Sequence, residues 1–88
     1  MPMLGMDIDQ VRQFAQQLEQ SSTQIKDMVG QLTAKLDGAQ WTGPDHDKFH
    51  EAWTSNHVVQ LNNVSTALHD ASVAADNNAK QQEDASNA

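Results

Sequence analysis

The residues best suited to chemistry are three histidines near the middle of the chain, His46, His50 and His57. Their spacing of four and seven places them on nearly one face of a helix. Imidazoles at i and i+4 could chelate a divalent ion together with Asp47 or Glu51, or could titrate as a pH sensor. The H-E-x-x-H pattern of zinc enzymes is missing. We therefore predict surface histidines and no metal site, although the spacing alone leaves metal binding and pH sensing open.

Catalytic chemistry finds little support in the rest of the chain. The sequence contains no Cys, which excludes a thiol nucleophile, a disulfide and a thiolate metal site. It also lacks a G-x-S-x-G motif and a glycine loop that could hold phosphate. Acidic pairs such as Asp45 with Asp47 fit helix-end and solvation roles. We predict that the protein is not an enzyme and holds no cofactor.

The charge of the chain narrows the class of partner. Its 88 residues include 12 acidic and 5 basic side chains, a formal net charge of −7. Nucleic acids and anionic membranes require a surplus of Lys and Arg, so we expect neither as a partner. The residues MPMLGMDIDQ contain no basic region followed by an apolar run, and no segment approaches the ~18 apolar residues of a membrane span. We predict no membrane insertion, and we expect that any export depends on a signal other than a Sec signal peptide.

One long helix is predicted over about residues 7–39. Its apolar positions follow a strict three-four spacing, typical of a heptad seam, in which Ser22 is the single polar member. The seam consists of Ile8, Val11, Ala15, Leu18, Ser22, Ile25, Val29, Leu32, Leu36 and Ala39. Asp7 is the expected N-cap, with Gln10 completing a capping box. Gly38 is the expected C′ residue beyond the last turn.

A second helix is predicted over about residues 44–78. Pro44 suits the first helical position, and the acids that follow it suit the positive end of the helix dipole. The less regular inner line of this helix consists of Phe49, Trp53, Leu61, Val64, Leu68, Ala71 and Ala75. Because residues 79–88 contain no apolar side chain larger than alanine, we predict that they form a polar, flexible C-terminal tail.

The two helices must form an antiparallel hairpin, because the turn predicted at residues 40–43 is short. This all-α unit is predicted to cover residues 1–80. Phe14, Met28 and Val59 lie off the main seam, either as ordinary exposed residues or as a second seam covered by another hairpin. The marginal size of the chain favours a second seam and a dimeric four-helix bundle.

The predicted core and interface combine the large apolar side chains of both seams, because these are the positions that either the hairpin or its partner would cover. They divide about equally between the two predicted helices. They are Val11, Phe14, Leu18, Ile25, Met28, Leu32, Phe49, Trp53, Val59, Leu61, Val64 and Leu68.

Trp41 stands within the predicted turn, in the stretch GAQWTGPDHDKF. Turns are usually built from small polar residues, so an indole at this place needs a reason. A ring that buries ~150–250 Å² there would hold the two helix ends together. Gly43 would let the backbone close beside the ring because it has no Cβ. We predict that Trp41 and Gly43 close the end of the hairpin.

With Phe49 eight residues after the tryptophan and Trp53 four further on, the Trp-x-Gly turn at Trp41–Gly43 resembles the WXG-100 superfamily. These are small helical-hairpin proteins, related to the early secreted antigenic target of mycobacteria, that are exported by type VII secretion systems. The resemblance covers roughly residues 4–80. It implies a secreted effector or effector partner that acts through protein–protein contacts. Its partners would be the secretion machinery and, in a homodimer or heterodimer, another WXG-type protein.

One departure from the family pattern concerns the export signal. Many substrates of this pathway, or their partners, carry Tyr-x-x-x-Asp/Glu just after the second helix, and this chain contains no Tyr. By the resemblance, Trp41 and Gly43 contribute one half of a bipartite signal, and Glu83 is the best remaining tail candidate for the other. The signal is either degenerate here or supplied by a partner chain. The alternative function is a non-exported adaptor or chaperone-like helical module that pairs with a larger secreted toxin.

Overall fold

The computed structural model describes residues 5–87 and shows an antiparallel helical hairpin 68 Å long and 17 × 15 Å across. Helix α1 spans Ile8–Gly38, α2 spans Pro44–Ala52, a π-helical turn spans Trp53–His57, and α3 spans Val58–Asn87. The last three segments run on without a break and form a second arm beside α1. There is no strand among the described residues, so the predicted all-α hairpin is confirmed.

Residues 1–4 of the predicted hairpin unit and residue 88 of the predicted tail lie outside the described residues. Within residues 5–87, no helix combines the length and the apolar character needed to cross a bilayer.

The sequence signals for helix ends are correct at both starts and wrong at the end of α1. The Gln10 backbone N–H donates to the Asp7 side chain at 3.1 Å, so Asp7 is the N-cap of α1, and Pro44 begins α2. Gly38, however, is the last helical residue and not the C′ residue. The chain leaves α1 through Ala39 in an extended conformation, with φ −73° and ψ 142°. This exit needs no left-handed residue, so glycine has no special role there.

Small side chains form the centre of the hairpin. The buried positions repeat every seven residues on each arm, and they are Ala15, Ser22, Val29, Ser65, Ser72 and Ala79. Three of these six are serines, so the seam that joins the two arms contains little apolar volume. Short side chains at a helix–helix contact allow the two backbones to approach closely, within reach of each other's hydrogen-bonding groups.

Hydrogen bonds between the arms use this closeness. The Ser22 hydroxyl donates to the Ser65 carbonyl at 2.7 Å, and the Ser65 hydroxyl donates to the Ser22 carbonyl at 2.8 Å. The Ser72 hydroxyl donates to the Ala15 carbonyl at 2.8 Å. No buried side-chain N or O atom in the described part of the chain lacks a partner. We call Ser22 and Ser65 the serine pair; it fixes the register of α1 against α3.

The large residues predicted for the inner seam lie partly outside it. Leu32 is 44% exposed and Val64 is 48% exposed, so their assignment to the inner seam is wrong. A straight α-helix drifts by ~20° per heptad, and toward the end of α1 this drift turns Thr33 inward in place of Leu32. On α3 the buried position is Ser65, one residue after Val64, which the sequence analysis assigns to the inner line because it is apolar.

The π-helical turn keeps the second arm in register with α1. Its closing bond joins the Val58 N–H to the Trp53 carbonyl, five residues earlier. Such a turn holds one residue more than a regular α-helical turn. As a result Trp53 and Val58 are both partly buried toward α1, although their spacing fits no three-four pattern. The Trp53 indole N–H donates to the Thr33 hydroxyl at 2.9 Å across the arms.

The prediction that the second helix ends near residue 78 is wrong. Residues 79–87, expected as a flexible tail, belong to α3. Ala79 is completely buried and continues the small-residue seam. The tail prediction treated the lack of large apolar side chains as the end of packing. In this hairpin small residues carry the packing, so alanine at that position extends the contact.

The serine pair generates a prediction about stability. We expect Ser65→Ala to lower the free energy of unfolding by about 1 kcal/mol through loss of a hydrogen bond. Ser65→Leu should cost about 3 kcal/mol, because a fully buried position cannot take a larger side chain unless the arms separate. Thr66→Leu, at the neighbouring exposed position, is the control. Urea unfolding at one protein concentration gives these values, and equal stability of the two leucine variants would contradict the assignment.

The π-helical turn generates a second prediction. Deleting Ser55 should convert the turn into regular α-helix while both flanking segments keep their register, so helicity and stability should be retained. Deleting Asn63 from the regular part of α3 should rotate one side of that helix by ~100° and disrupt the seam. Circular dichroism during urea unfolding compares the two deletions. Equal losses of stability would show that the π-helical turn has no role in register.

Candidate interaction surfaces

An aromatic patch surrounds the turn between the arms. Trp41 packs edge-on against His46 with ring centroids 5.3 Å apart, and it lies 5.6 Å from Phe49. The indole is 39% exposed and Phe49 is 46% exposed, so Phe49 does not belong to the inner line where it was predicted. We call Trp41, His46 and Phe49 the aromatic patch. Trp41 covers the first turns of α2 and still presents a large apolar surface at the end of the rod.

Gly43 is required for a different reason from the one expected. A Cβ at this position would meet no atom within 4 Å, so close approach of the indole does not exclude a side chain. Its φ of +118°, however, lies in a region that residues with a Cβ rarely adopt. The Gly43 carbonyl also accepts the Asp47 N–H at 3.1 Å. Glycine therefore sets the direction in which α2 leaves the turn.

The predicted histidine cluster is divided by the structure. The rings of His46 and His50 lie 5.9 Å apart, and each contacts a different carboxylate. His46 Nδ1 lies 3.3 Å from Asp47, while His50 Nε2 lies 3.2 Å from Asp37 and so connects α2 to the end of α1. His57 stands apart, beside the indole that begins the π-helical turn. Within residues 5–87, no three His, Cys, Asp or Glu side chains are arranged to hold a metal ion.

Charged side chains connect the arms along one side of the hairpin. The Arg12 guanidinium donates to both carboxylate oxygens of Glu83, at 3.0 and 3.1 Å. His69 Nδ1 lies 2.6 Å from the Glu19 carboxylate. We call the side that carries these two pairs the charged face. Sequence reasoning did not find it, although the spacing of Arg12, Glu19 and Lys26 by sevens is a signal that the chain offers.

The Arg12–Glu83 contact changes both ionisation equilibria. Hydrogen bonds from Arg12, and then its positive charge, hold the pKa of Glu83 below its ordinary value. The same contacts raise the pKa of Arg12. The sequence predicts Glu83 as the tail half of an export signal; in the structure this residue anchors the last turns of α3 to α1 through Arg12. Any receptor that binds this carboxylate must compete with Arg12.

The opposite side of the hairpin is apolar. Successive residues of a helix are rotated by ~100° about its axis. Residues that stand three positions after a buried residue, or one position before it, therefore lie on the side of the hairpin opposite the Arg12–Glu83 and Glu19–His69 pairs. We call this side the uncharged face, and its residues are Val11, Phe14, Leu18, Ile25, Met28, Leu32, Leu61, Val64, Leu68, Ala71 and Ala75. Phe14 is 58% exposed and Met28 is 52% exposed.

This division separates two groups that were predicted to share a second seam. Phe14 and Met28 lie on the uncharged face, whereas Val59 follows the partly buried Val58 by one residue and lies on the flank of the charged face, 49% exposed. Leu18, Ile25 and Leu61 are partly buried at the edge between the seam and the uncharged face. A single covering partner can therefore reach the first group without touching Val59.

A comparison with protein-family models finds none that matches this chain, and comparisons with curated proteins and with solved structures find no match either. Function therefore has to be inferred from the residues and from the three surfaces described above. The aromatic patch and the uncharged face both expose apolar area that the hairpin itself does not cover. They are the two candidates for recognition.

The Arg12–Glu83 pair predicts a pH dependence. A carboxylate with a lowered folded-state pKa stabilises the fold above its unfolded pKa, and this stabilisation is lost as pH falls through the folded value. We expect Glu83→Gln to lower the urea midpoint at pH 7 and to match the wild type at pH values well below the ordinary 4.5. Asp84→Asn, one residue away, is the control. A Glu83→Gln difference that persists unchanged at pH 2.5 would contradict this role.

Proposed function

We propose that this chain is a small secreted WXG-type protein of a bacterial type VII secretion system. It acts as an effector or effector partner through protein–protein contacts, as half of a dimeric four-helix bundle with an identical or a different WXG-type chain. It leaves the cell without a Sec signal peptide, by contacts with the type VII machinery. Its place of action is extracellular.

The observation that carries this proposal is the exposed indole in a Trp-x-Gly turn between two long antiparallel arms. Trp41 could be replaced by a small turn residue if the hairpin only had to turn, because Gly43 sets the backbone direction. Instead the ring stands 39% exposed beside Phe49 at the end of the rod. A large apolar surface at such a place is typical of a recognition site. The same Trp-x-Gly turn carries the family resemblance.

A partner hairpin is supported by how little the seam buries. Full burial of a large apolar side chain contributes ~1.5–3 kcal/mol, and alanine and serine offer much less. Here alanine, serine and one valine occupy the buried positions, while Phe14, Met28 and Leu32 remain exposed. Coverage of the uncharged face by another helical hairpin would supply the burial that the small seam lacks.

The alternative is a non-exported adaptor or chaperone-like module that pairs with a larger secreted toxin. Two observations favour it. The chain contains no Tyr for the usual tail signal, and the nearest acid at suitable spacing, Glu83, is engaged by Arg12. In this alternative the uncharged face covers a helical segment of the toxin, and the adaptor stays in the cell when the toxin leaves.

Secretion from a bacterium with an intact type VII system tests the proposal. We expect the wild-type chain in the culture supernatant, and none from a strain that lacks the motor of the system. Trp41→Ala should reduce the secreted fraction at least about tenfold while the level in the cell is maintained, because the 39% exposed side chain offers apolar surface to a receptor at the end of the rod. Val73→Ala, which removes an exposed apolar side chain far from the turn, is the matched control.

Circular dichroism of the purified variants separates recognition from folding, because a variant that keeps its helicity but is not secreted has lost recognition alone.

The tail signal is tested by Glu83→Gln. A deletion of residues 77–88 would be less specific, because it would remove the buried Ala79 as well as Glu83. Secretion that is unchanged by Trp41→Ala and by Glu83→Gln overturns the proposal. A wild-type chain that stays in the cell while a co-expressed larger partner is secreted supports the adaptor instead.

A further inference from the structure

The last turns of α3 are joined to α1 by the Arg12–Glu83 contact. Ala79 is the last buried position of the seam, and residues 84–87 are all exposed. Glu83 accepts two hydrogen bonds from the Arg12 guanidinium, at 3.0 and 3.1 Å. Among residues 5–87, no other side-chain hydrogen bond joins the arms beyond Ala79. Arg12 therefore determines how firmly the Glu83 carboxylate and its turn are held against the other arm.

The sequence of these turns is a poor helix end by itself. The C-terminal end of a helix carries partial negative charge, which cations stabilise and carboxylates destabilise. Here Asp84 stands in the last turn and Glu83 directly before it, and the last turn contains no basic residue. Ser86 and Asn87, which follow, are weak helix formers. The cation that offsets these acids comes from α1, so the order of this segment depends on a contact across the arms.

The contact can open without separation of the arms. The side chains of Arg12 and Glu83 are 38% and 43% exposed, so water can solvate both groups when they part. Neither residue belongs to the buried seam, which runs through Ala15, Ser72 and Ala79 in this half of the hairpin. Opening of the pair frees the carboxylate and the turn around it, while the seam remains closed.

The charge around Arg12 favours the approach of a second cation. Hydrogen bonds to Glu83, and then the charges of Glu83, Asp76 and Asp9, raise the pKa of Arg12. One guanidinium does not neutralise three carboxylates, so this pole of the hairpin keeps a negative potential. A cationic group can therefore approach while Arg12 is still in place, and the Glu83 carboxylate need not stand unpaired during the exchange.

The recess beside Glu83 suits a long cationic side chain. Its other lining residues are Met6, Asp7, Ile8 and Asp9. Arginine and lysine pack an aliphatic stem on apolar surface while the charged head reaches a carboxylate, and this recess offers both kinds of wall. Arg12 itself shows that the Glu83 carboxylate accepts a guanidinium through two parallel N–H bonds.

We propose that Arg12 restrains the tail signal: its guanidinium occupies the Glu83 carboxylate until a cationic side chain of the export receptor, an arginine or a lysine, takes its place. The inference rests on the proposed function, because it takes Glu83 as the tail half of the export signal. It adds the regulation of that residue and the chemistry of the receptor group that binds it.

Chemical labelling of carboxylates tests the restraint on the purified full-length chain. A carbodiimide couples glycine ethyl ester to accessible carboxylates, and mass spectrometry of peptides gives the rate at each residue. We expect Glu83 to react about threefold faster in Arg12→Gln than in the wild type, because the competing guanidinium is gone. Asp84, which is exposed, should react at an unchanged rate. Lys26→Gln removes an exposed cation of α1 elsewhere and should leave Glu83 unaffected.

Secretion tests the consequence of the restraint. In a bacterium with an intact type VII system, Arg12→Gln should be secreted about threefold faster than the wild type, because a larger share of the chains presents a free carboxylate. The double variant Arg12→Gln/Glu83→Gln should be secreted as slowly as Glu83→Gln alone. If Arg12→Gln fails to fold, Arg12→Lys keeps the charge but loses the two parallel bonds, and should give a smaller increase in the same direction.

The outcomes separate this inference from the proposed function. An unchanged labelling rate of Glu83, or slower secretion of a folded Arg12→Gln chain, overturns the inference and leaves export of the chain standing. Secretion that requires Trp41 but ignores Glu83 does the same. Faster labelling of Glu83 in Arg12→Gln, without secretion of any variant or of the wild type, overturns the proposed function and the inference with it.

Discussion

The close approach of the two arms, maintained by the reciprocal hydrogen bonds of the serine pair, determines the rest of this structure. Each hydroxyl bonds to the carbonyl of the other serine, and both groups are buried. Such bonds form only when the backbones lie near each other, so the positions along the contact must be small. Ala15, Ser72 and Ala79 meet this requirement at intervals of seven residues on either side.

A seam of small residues displaces the larger ones. Leucine, isoleucine, methionine and phenylalanine cannot lie between closely spaced helices, and they collect on one flank of the contact. Charged side chains occupy the other flank, where the partly exposed side chains of Arg12 and Glu83 join the arms. The two faces of the hairpin therefore differ: one is apolar and neutral, and the other is charged and carries the ion pairs between the arms.

The sequence predicts the helices well because capping chemistry is local. Asp7, Pro44 and the short turn mark the ends of the arms without reference to tertiary contacts. The seam of the second arm could not be found by seeking large apolar residues, since Ser65 and Ser72 occupy it. Ser22, alone among the apolar positions of α1, was a signal that a polar partner should be sought on the facing helix. No comparable local signal marks the π-helical turn at Trp53–His57, because its position depends on how the second arm packs against α1.

The sequence places Trp41 correctly in the turn, but it does not show that the side chain remains 39% exposed at the end of the hairpin. That exposure depends on the direction in which α2 leaves Gly43. The same holds for Glu83, the candidate tail residue. Spacing along the sequence identifies its position, whereas its hydrogen bonds from Arg12 are visible only when the two arms lie side by side.

The continuous second arm puts Trp41 and Glu83 at opposite poles of the molecule. Glu83 contacts Arg12 near the start of α1, and the helical residues from Pro44 to Glu83 rise through roughly 60 Å. A single pocket cannot touch both poles of one rigid rod. A receptor that binds the Trp41 indole and the Glu83 carboxylate at the same time must bind them on two different copies of the hairpin, or must itself extend along the whole rod.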